Sequence, residues 1–437
     1  MKQRPTRRRF LQSSVAAAGG AMLLGGKRSE AHPHDRLPDP ERSGIEHVVV
    51  VMMENRSFDH LLGWLPGANG RQAGFTFEDA SGVRHKTFKL APTIGFQGCN
   101  NLDPDHSWEG GRTQVNGGRM DGWLKAHSDV FSIGYYERKD RPFFNELAMK
   151  FTTLDRYHCS ILAETFPNRF FQHSAQTPVL HNREVVVAQT VPTIWDSLAA
   201  AGISGKYYFT DVPFVAVWGN KYLPIAHTFP EFLADAAAGT LPAVSFLDPK
   251  FQDEDLGTSG DDHPHADIRF GDAFMSQAFH AVANGPGWGK TVFVITYDEW
   301  GGFFDHVAPP RSVAANDVDP PDDDGEVLLG IRVPTIVASP WTHGDDEPRI
   351  HSHLFDHTSV LKLIQWRWRL PNLTLRDAPD SNITNLAHVL DFRRHSPHVP
   401  RLPTPVAPVV EACPPQFAGD RLWKQLRESP VAKDWKL

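Results

Sequence analysis

Long apolar runs are missing from this chain. No stretch of about 18 or more apolar residues occurs, so no segment reads as a membrane-spanning helix. That absence says nothing against a lipid substrate. Cysteine is scarce: only Cys99, Cys159 and Cys413 are present. Three cysteines permit at most one internal disulfide and leave one thiol over. Their spacing matches no zinc pattern, which argues against a thiolate metal site, and Cys159, in an apolar stretch, reads as a small buried filler. Basic residues are outnumbered, 44 Lys and Arg against 52 Asp and Glu. An acidic surface argues against nucleic acid as a partner and against strong electrostatic adsorption to anionic lipid. The Gly-x-x-x-x-Gly-Lys loop that cradles nucleotide phosphates is absent, as are internal repeats.

What is present is the composition of an ordinary soluble protein, 41% hydrophobic and 22% charged over 437 residues, enough for one large α/β core or two domains. The first 31 residues differ from the rest. Arg7-Arg8-Arg9-Phe10-Leu11 precedes a modestly apolar, Ala/Gly-rich stretch from Ser13 to Gly26, with a small-residue cut site at Ser29-Glu30-Ala31. A basic start, a short apolar region and a small residue describe an export signal, and the paired arginines followed by Phe-Leu read as a twin-arginine signal. The expected partner is the twin-arginine export machinery, and the expected location is periplasmic or secreted. Residues 32–43 read as a linker, 44–396 as the catalytic domain, and 397–437 as a proline-rich C-terminal strap over the surface.

Two apolar β-type runs dominate the remainder. Ile45 to Met53 leads into Glu54-Asn55, and Thr291 to Tyr297 leads into Asp298-Glu299. Buried parallel strands read as near-continuous Val/Ile runs, and open α/β sheets bind ligands beyond the carboxyl ends of their strands. Shorter strands are expected at Pro242–Leu247 and Val333–Ala338. Helices are expected at Ser57–Leu65, Phe143–Phe151, Val191–Ala201, Phe270–Ala283 and Thr358–Trp368. Residues 66–140 read as long functional loops. The alternation predicts one doubly wound α/β domain with a mostly parallel central sheet, flanking helices and a loop-rich cap. Glu54, Asn55, Asp298 and Glu299 then converge at the strand ends, where three carboxylates and an amide oxygen would repel one another unless a hard divalent cation sat between them. The acidic run Asp317–Glu326 lacks the spaced ligands and central glycine of a calcium loop and reads as a solvated loop. Gly301-Gly302 allows a tight turn and close backbone approach to a bound anion.

At these residues the chain resembles the bacterial phosphoesterase family, which joins non-specific phospholipases C to acid phosphatases within the alkaline phosphatase-like superfamily. The resemblance runs in order through Glu54-Asn55-Arg56-Ser57-Phe58-Asp59-His60, Asp103-Pro104-Asp105-His106, Thr165-Phe166-Pro167-Asn168-Arg169 and Asp262-His263-Pro264. It continues through Asp298-Glu299-Trp300-Gly301-Gly302-Phe303-Phe304-Asp305-His306, Arg332-Val333-Pro334 and Asp356-His357-Thr358-Ser359.

The resemblance implies that Thr165 is the nucleophile and completes the metal shell with Glu54, Asn55, Asp298 and Glu299. A free hydroxyl is a poor nucleophile near neutral pH, and a cation both lowers its pKa and orients it. Taken alone, Thr165 is a helix-cap or turn hydroxyl. Thr-x-Pro-x-Arg also resembles the sulfatase nucleophile motif, but sulfatases need Cys or Ser there, which favours phosphate over sulfate esters. His106, His263 and His306 are candidates to contact phosphate or protonate the leaving alcohol, as an imidazole with a pKa near about 6.5 suits. His265, His351, His353 and His357 are weaker candidates. Arg169 either stabilises the phosphoryl charge or ties down its loop. Trp64, Trp108, Trp123, Tyr135, Tyr136 and Trp300 either pack the cap or offer cation–π faces to a choline head group.

The function these residues imply is an exported, metal-dependent phosphoesterase working through a phosphothreonine intermediate. The Asp298-Glu299 pair is more similar to the phospholipase C branch, since phosphatase members more often carry two aspartates. Acid phosphatase is the alternative, and a non-catalytic exported metal-binding protein the reading from another class.

Overall fold

The Val/Ile run ending at Met53 forms β1 (His47–Met53), fully buried apart from His47. Its β-branched side chains suit a pleated surface covered on both faces. The computed structural model describes residues 36–344, 347–414 and 422–435; the expected signal, residues 1–31, lies outside them.

Seven further strands join β1: β2 (Thr152–Leu154), β3 (Gly205–Phe209), β4 (Ala226–Thr228), β5 (Val244–Asp248), β6 (Thr291–Tyr297), β7 (Ile336–Ala338) and β8 (Arg349–His351). Their order across the sheet is β8-β2-β7-β6-β1-β5-β3-β4. Only β7 runs antiparallel to its neighbours, so the sheet is mostly parallel, as expected.

Register sets the site. β1 and β6 pair in parallel with Val50 opposite Val294 and Met53 opposite Tyr297, so Glu54-Asn55 and Asp298-Glu299 leave adjacent strands side by side. β5 flanks β1 on its other side, Val51 facing Leu247, and brings Asp248 to the same end.

The helices are α1 (Phe58–Leu62), α2 (Trp108–Val115), α3 (Pro142–Lys150), α4 (Thr165–Ser174), α5 (Ile194–Ala200), α6 (Phe229–Ala238), α7 (Ile268–Ala283) and α8 (Thr358–Trp368), followed by α9 (Leu422–Glu428) and α10 (Ala432–Trp435). α1, α3, α5, α7 and α8 occupy the expected segments. α2 interrupts the expected loops because its glycines answer to packing: a Cβ on Gly110 would lie 2.2 Å from Asp105 Oδ1. α4 tolerates Pro167 because proline is accepted in a helix's first turn.

Described residues from Leu37 onward belong to one compact unit. Residues 397–414 form neither helix nor strand; Trp288 donates to the Pro397 carbonyl at 2.9 Å, and Cys413 forms a disulfide with Cys99. The strap then departs from expectation by ending in α9 and α10. Cys159 is the buried free thiol. Pro320 to Gly325 are exposed, as expected for the acidic loop, while Asp319 is buried and binds Arg112 at 3.1 Å.

Candidate active site

Asn55 is the first residue past β1 to break the strand, adopting φ +63°. Asparagine visits this left-handed region more readily than most residues. The turn is held by Asp298 Oδ1, which accepts from Asn55 N at 3.1 Å and from Glu299 N at 2.7 Å. Gly301 (φ +62°) closes it: a Cβ there would meet the Asn55 carbonyl oxygen at 2.1 Å. The glycine thus serves approach to the Asn55 turn.

Thr165 is the first residue of α4, almost wholly buried, and its Oγ1 donates to Asn55 Oδ1 at 3.4 Å. The positive end of the helix favours negative charge at this point. His106 joins the cluster: its Nδ1 donates to the Pro104 carbonyl at 2.8 Å, and its Nε2 lies 3.4 Å from Asn55 Nδ2 and 3.9 Å from Glu299 Oε1. Burial opposes charge on the ring, but Glu299 and Asp103 outweigh it and raise the pKa to about 10. His263 meets His106 edge-on, centroids 5.8 Å apart. Burial, aided by His106, lowers its pKa to about 4. Burial raises the Glu299 carboxyl well above its ordinary range despite His106. Glu299 Oε2 accepts from Gly301 N at 2.6 Å, while Oε1 is buried without a hydrogen-bond donor among the described residues.

Arg169 lies beneath this cluster. Its Nε contacts Asp298 Oδ2 at 3.0 Å, Nη2 contacts Glu54 Oε1 at 3.2 Å, and Nη1 contacts Asp248 Oδ1 at 3.2 Å. Burial opposes the charge, but these carboxylates hold the guanidinium more firmly protonated than usual. Its ion-pair partners among the described residues are these three carboxylates. His357, one of the weaker candidates, donates from Nε2 to the Asp298 carbonyl at 2.7 Å and accepts from Tyr157 on Nδ1.

The structure thus brings Asn55, Thr165, Glu299, His106 and His263 together, with Glu54 and Asp298 joined to them through Arg169 and the β1–β6 turn. His306 sits in another network: Nδ1 donates to Asp59 Oδ2 at 2.5 Å and Nε2 lies 3.1 Å from Asn69 Oδ1, beside Asp305 and Arg332. Trp123, Tyr136 and Trp300 are fully buried. The Trp108 and Trp64 rings already carry Arg112 and Arg138.

Among the described residues, three His/carboxylate groups have ligand atoms within 4.8 Å of one another: Asp103-His106-His263, Asp59-Asp305-His306 and Glu54-Glu254-Asp261. Glu54, Asp298 and Glu299 are not such a group; Arg169 contacts both Glu54 and Asp298. By donor chemistry the expected shell still fits a hard cation: Glu54, Asn55, Thr165, Asp298 and Glu299 offer only oxygen, and Glu299 Oε1 lacks a donor. Sequence reasoning missed Asp248, Glu254 and Asp261. Asp261 directly precedes the quoted Asp262-His263-Pro264, which is the one signal that pointed to it; Glu254 lies in an unremarkable acidic run.

A model of the Phosphoesterase family matches residues 45–371. The chain is 32% identical to Phospholipase C A of Mycobacterium tuberculosis, over 89% of this chain and 85% of that protein. It is 31% identical to Non-specific phospholipase C1 of Arabidopsis thaliana, over 82% and 73%. It is 30% identical to Non-hemolytic phospholipase C of Burkholderia pseudomallei, over 96% and 72%.

Proposed function

We propose a function that proceeds from one premise: this chain belongs to the Phosphoesterase family. It is a hydrolase acting on phosphoric ester bonds. Within that activity it cleaves phospholipid phosphodiesters in the manner of a phospholipase C, through a covalent intermediate on Thr165. The observation that carries this reading is the Thr165 hydroxyl, buried at the positive end of α4 and 3.4 Å from Asn55 Oδ1, in a chain whose relatives bear the name phospholipase C.

Thr165 Oγ1 attacks phosphorus in line while the glycerol oxygen leaves on the opposite side. A phosphodiester of Thr165 forms, and the proton that Thr165 loses is the one the departing alcohol carries away, relayed through His106, which lies beside Asn55 and Glu299. Water then attacks the same phosphorus, releasing the phosphorylated head group and restoring the hydroxyl. The hydrogen-bond partner of Thr165 is a neutral carboxamide, so activation of the hydroxyl calls for a nearby cation. Glu54, Asn55, Thr165, Asp298 and Glu299 would hold a divalent ion, which when bound draws charge from the hydroxyl and from the phosphoryl oxygens. Arg169 orients two of those carboxylates, and such outer partners commonly tune a metal site.

The same reading has the protein work outside the cytoplasm, after twin-arginine export. The Cys99–Cys413 disulfide supports it, since such bonds persist in oxidising compartments.

Turnover of p-nitrophenylphosphorylcholine against p-nitrophenyl phosphate, with and without chelator, tests the proposal. The diester is expected to be the better substrate, and chelator to abolish turnover until a divalent ion is restored. Preference for the monoester would establish acid phosphatase instead, and turnover of neither a non-catalytic role.

A further inference from the structure

Trp423 lies beyond the family match, which ends at residue 371, yet its indole is inserted behind the first turn of α4. Its ring stacks on Phe251 with centroids 3.8 Å apart and planes within 1°. It meets Phe166 edge-on at 4.9 Å. The Arg169 guanidinium lies 4.7 Å from the Phe251 centroid and 5.6 Å from that of Trp423. Trp423 is 2% exposed and Phe251 fully buried.

Phe166 and Arg169 stand three residues apart on α4 and therefore share a face. That face carries two things the reaction needs: the residue following Thr165, and the cation that holds Glu54, Asp248 and Asp298. The carboxylates fix Arg169 from one side and the two rings from the other. A planar indole is well suited to the second task, because its face attracts a guanidinium.

Anchors on both sides hold the indole in place. Cys413 is bonded to Cys99 before it. After it, Trp435 donates to the Gly219 carbonyl at 3.2 Å and packs on Phe209. Arg427, within α9, donates to Gln252, the neighbour of Phe251.

We infer that Trp423 is a positioning residue for the reaction: helix α9 completes the wall that sets Arg169 and the first turn of α4. It acts through Arg169 and Phe166 and touches no reacting atom. The inference rests on the reading above that Thr165 attacks and that Glu54 and Asp298 serve the attack.

The test uses the full-length, metal-loaded enzyme and whichever p-nitrophenyl ester it turns over best. Trp423→Ala should lower kcat about ten- to a hundredfold with KM changed far less, the loss expected when a reacting group shifts by a fraction of an ångström. Trp423→Phe, which keeps a ring over Phe251, should recover most of kcat. Phe251→Leu, which leaves the tail intact, should reproduce the loss. A Trp423→Ala enzyme with wild-type kcat overturns the inference. So does an equal loss of kcat in Trp423→Ala and Trp423→Phe that follows their thermal stability, since that is the mark of a merely structural strap. Thr165→Val measured alongside separates the two claims. A Thr165→Val enzyme at wild-type rate refutes the nucleophile, whereas an inactive one beside an unimpaired Trp423→Ala refutes the role of Trp423 alone.

Discussion

Replacing Arg169 by methionine keeps much of the apolar stem and removes the charge that three buried carboxylates share. Glu54, Asp248 and Asp298 lie 3.0 to 3.2 Å from the guanidinium, whose side chain is 2% exposed. Stripping one partner from a buried ion pair costs about 3–5 kcal/mol, because the remaining charge is neither solvated nor matched. An unfolding entropy of about 2.1 cal/mol/K per residue over roughly 400 residues converts that cost into a Tm about 4–6 °C lower. The deficit should also depend on pH. Burial raises the Asp248 pKa to about 6 even with Arg169 opposing the shift, whereas a free aspartate titrates near about 3.9. A carboxyl whose pKa is raised on folding destabilises the fold while ionised, and that penalty is relieved as pH falls through the folded value. Without Arg169 the folded-state pKa rises further, so the Tm difference should be largest above pH 7 and shrink as the pH falls toward about 6, where Asp248 of the wild type is itself becoming protonated. Thermal unfolding of both proteins across this range checks the point. Equal Tm values at neutral pH, or a deficit independent of pH, would refute the assignment of Arg169 as the tie among these carboxylates. Unchanged stability with lost phosphate affinity would instead establish it as a phosphoryl ligand.

His173 is buried among Trp195, Tyr207, Phe214, Trp218 and Phe246, and burial followed by the Arg169 charge lowers its pKa to about 3. As pH drops below about 6.5 the unfolded chain takes up a proton that the folded one refuses, so stability should fall by about 1.4 kcal/mol per pH unit until about pH 3. His173→Phe should flatten that acid limb while costing about 1–3 kcal/mol at neutral pH, because Trp195 loses its acceptor; parallel acid limbs in urea titrations would contradict this. Cys413→Ser opens a disulfide spanning a sequence separation of 314, for which loop-closure entropy gives an upper loss of about 6 kcal/mol. Its Tm should fall and become insensitive to reductant; an unchanged Tm would show that the strap holds without the bond.

The two strands that position the site were legible because each is an unbroken β-branched run ending in paired ligand-type side chains. Their register, Met53 opposite Tyr297, was not, since nothing local to either run says which residues pair. β2 and β3 escaped notice for a related reason. Thr152-Thr153-Leu154 is too short to show a period, and Gly205-Lys206-Tyr207-Tyr208-Phe209 is led by a glycine and a lysine. Helix α4 was hidden by its own proline, which the first turn accepts. At the site, Glu54, Asn55, Thr165, Asp298, Glu299, His106 and His263 could be named because each stands in one of the short motifs that carry the family resemblance. The place of Arg169 among three carboxylates, the removal of His306 to the Asp59–Arg332 network, and the arrival of Trp423 all arise from contacts between distant segments. Local pattern carries no information about those.

The stereochemical course at phosphorus tests the central claim most directly. A substrate made chiral at phosphorus with oxygen isotopes and sulfur can be hydrolysed by the wild-type enzyme and the configuration of the product read by NMR. Attack by Thr165 followed by attack by water is two in-line displacements, each inverting the centre. The account predicts net retention, with no turnover by Thr165→Val; net inversion would mean that water attacks phosphorus directly and that Thr165 is not the nucleophile.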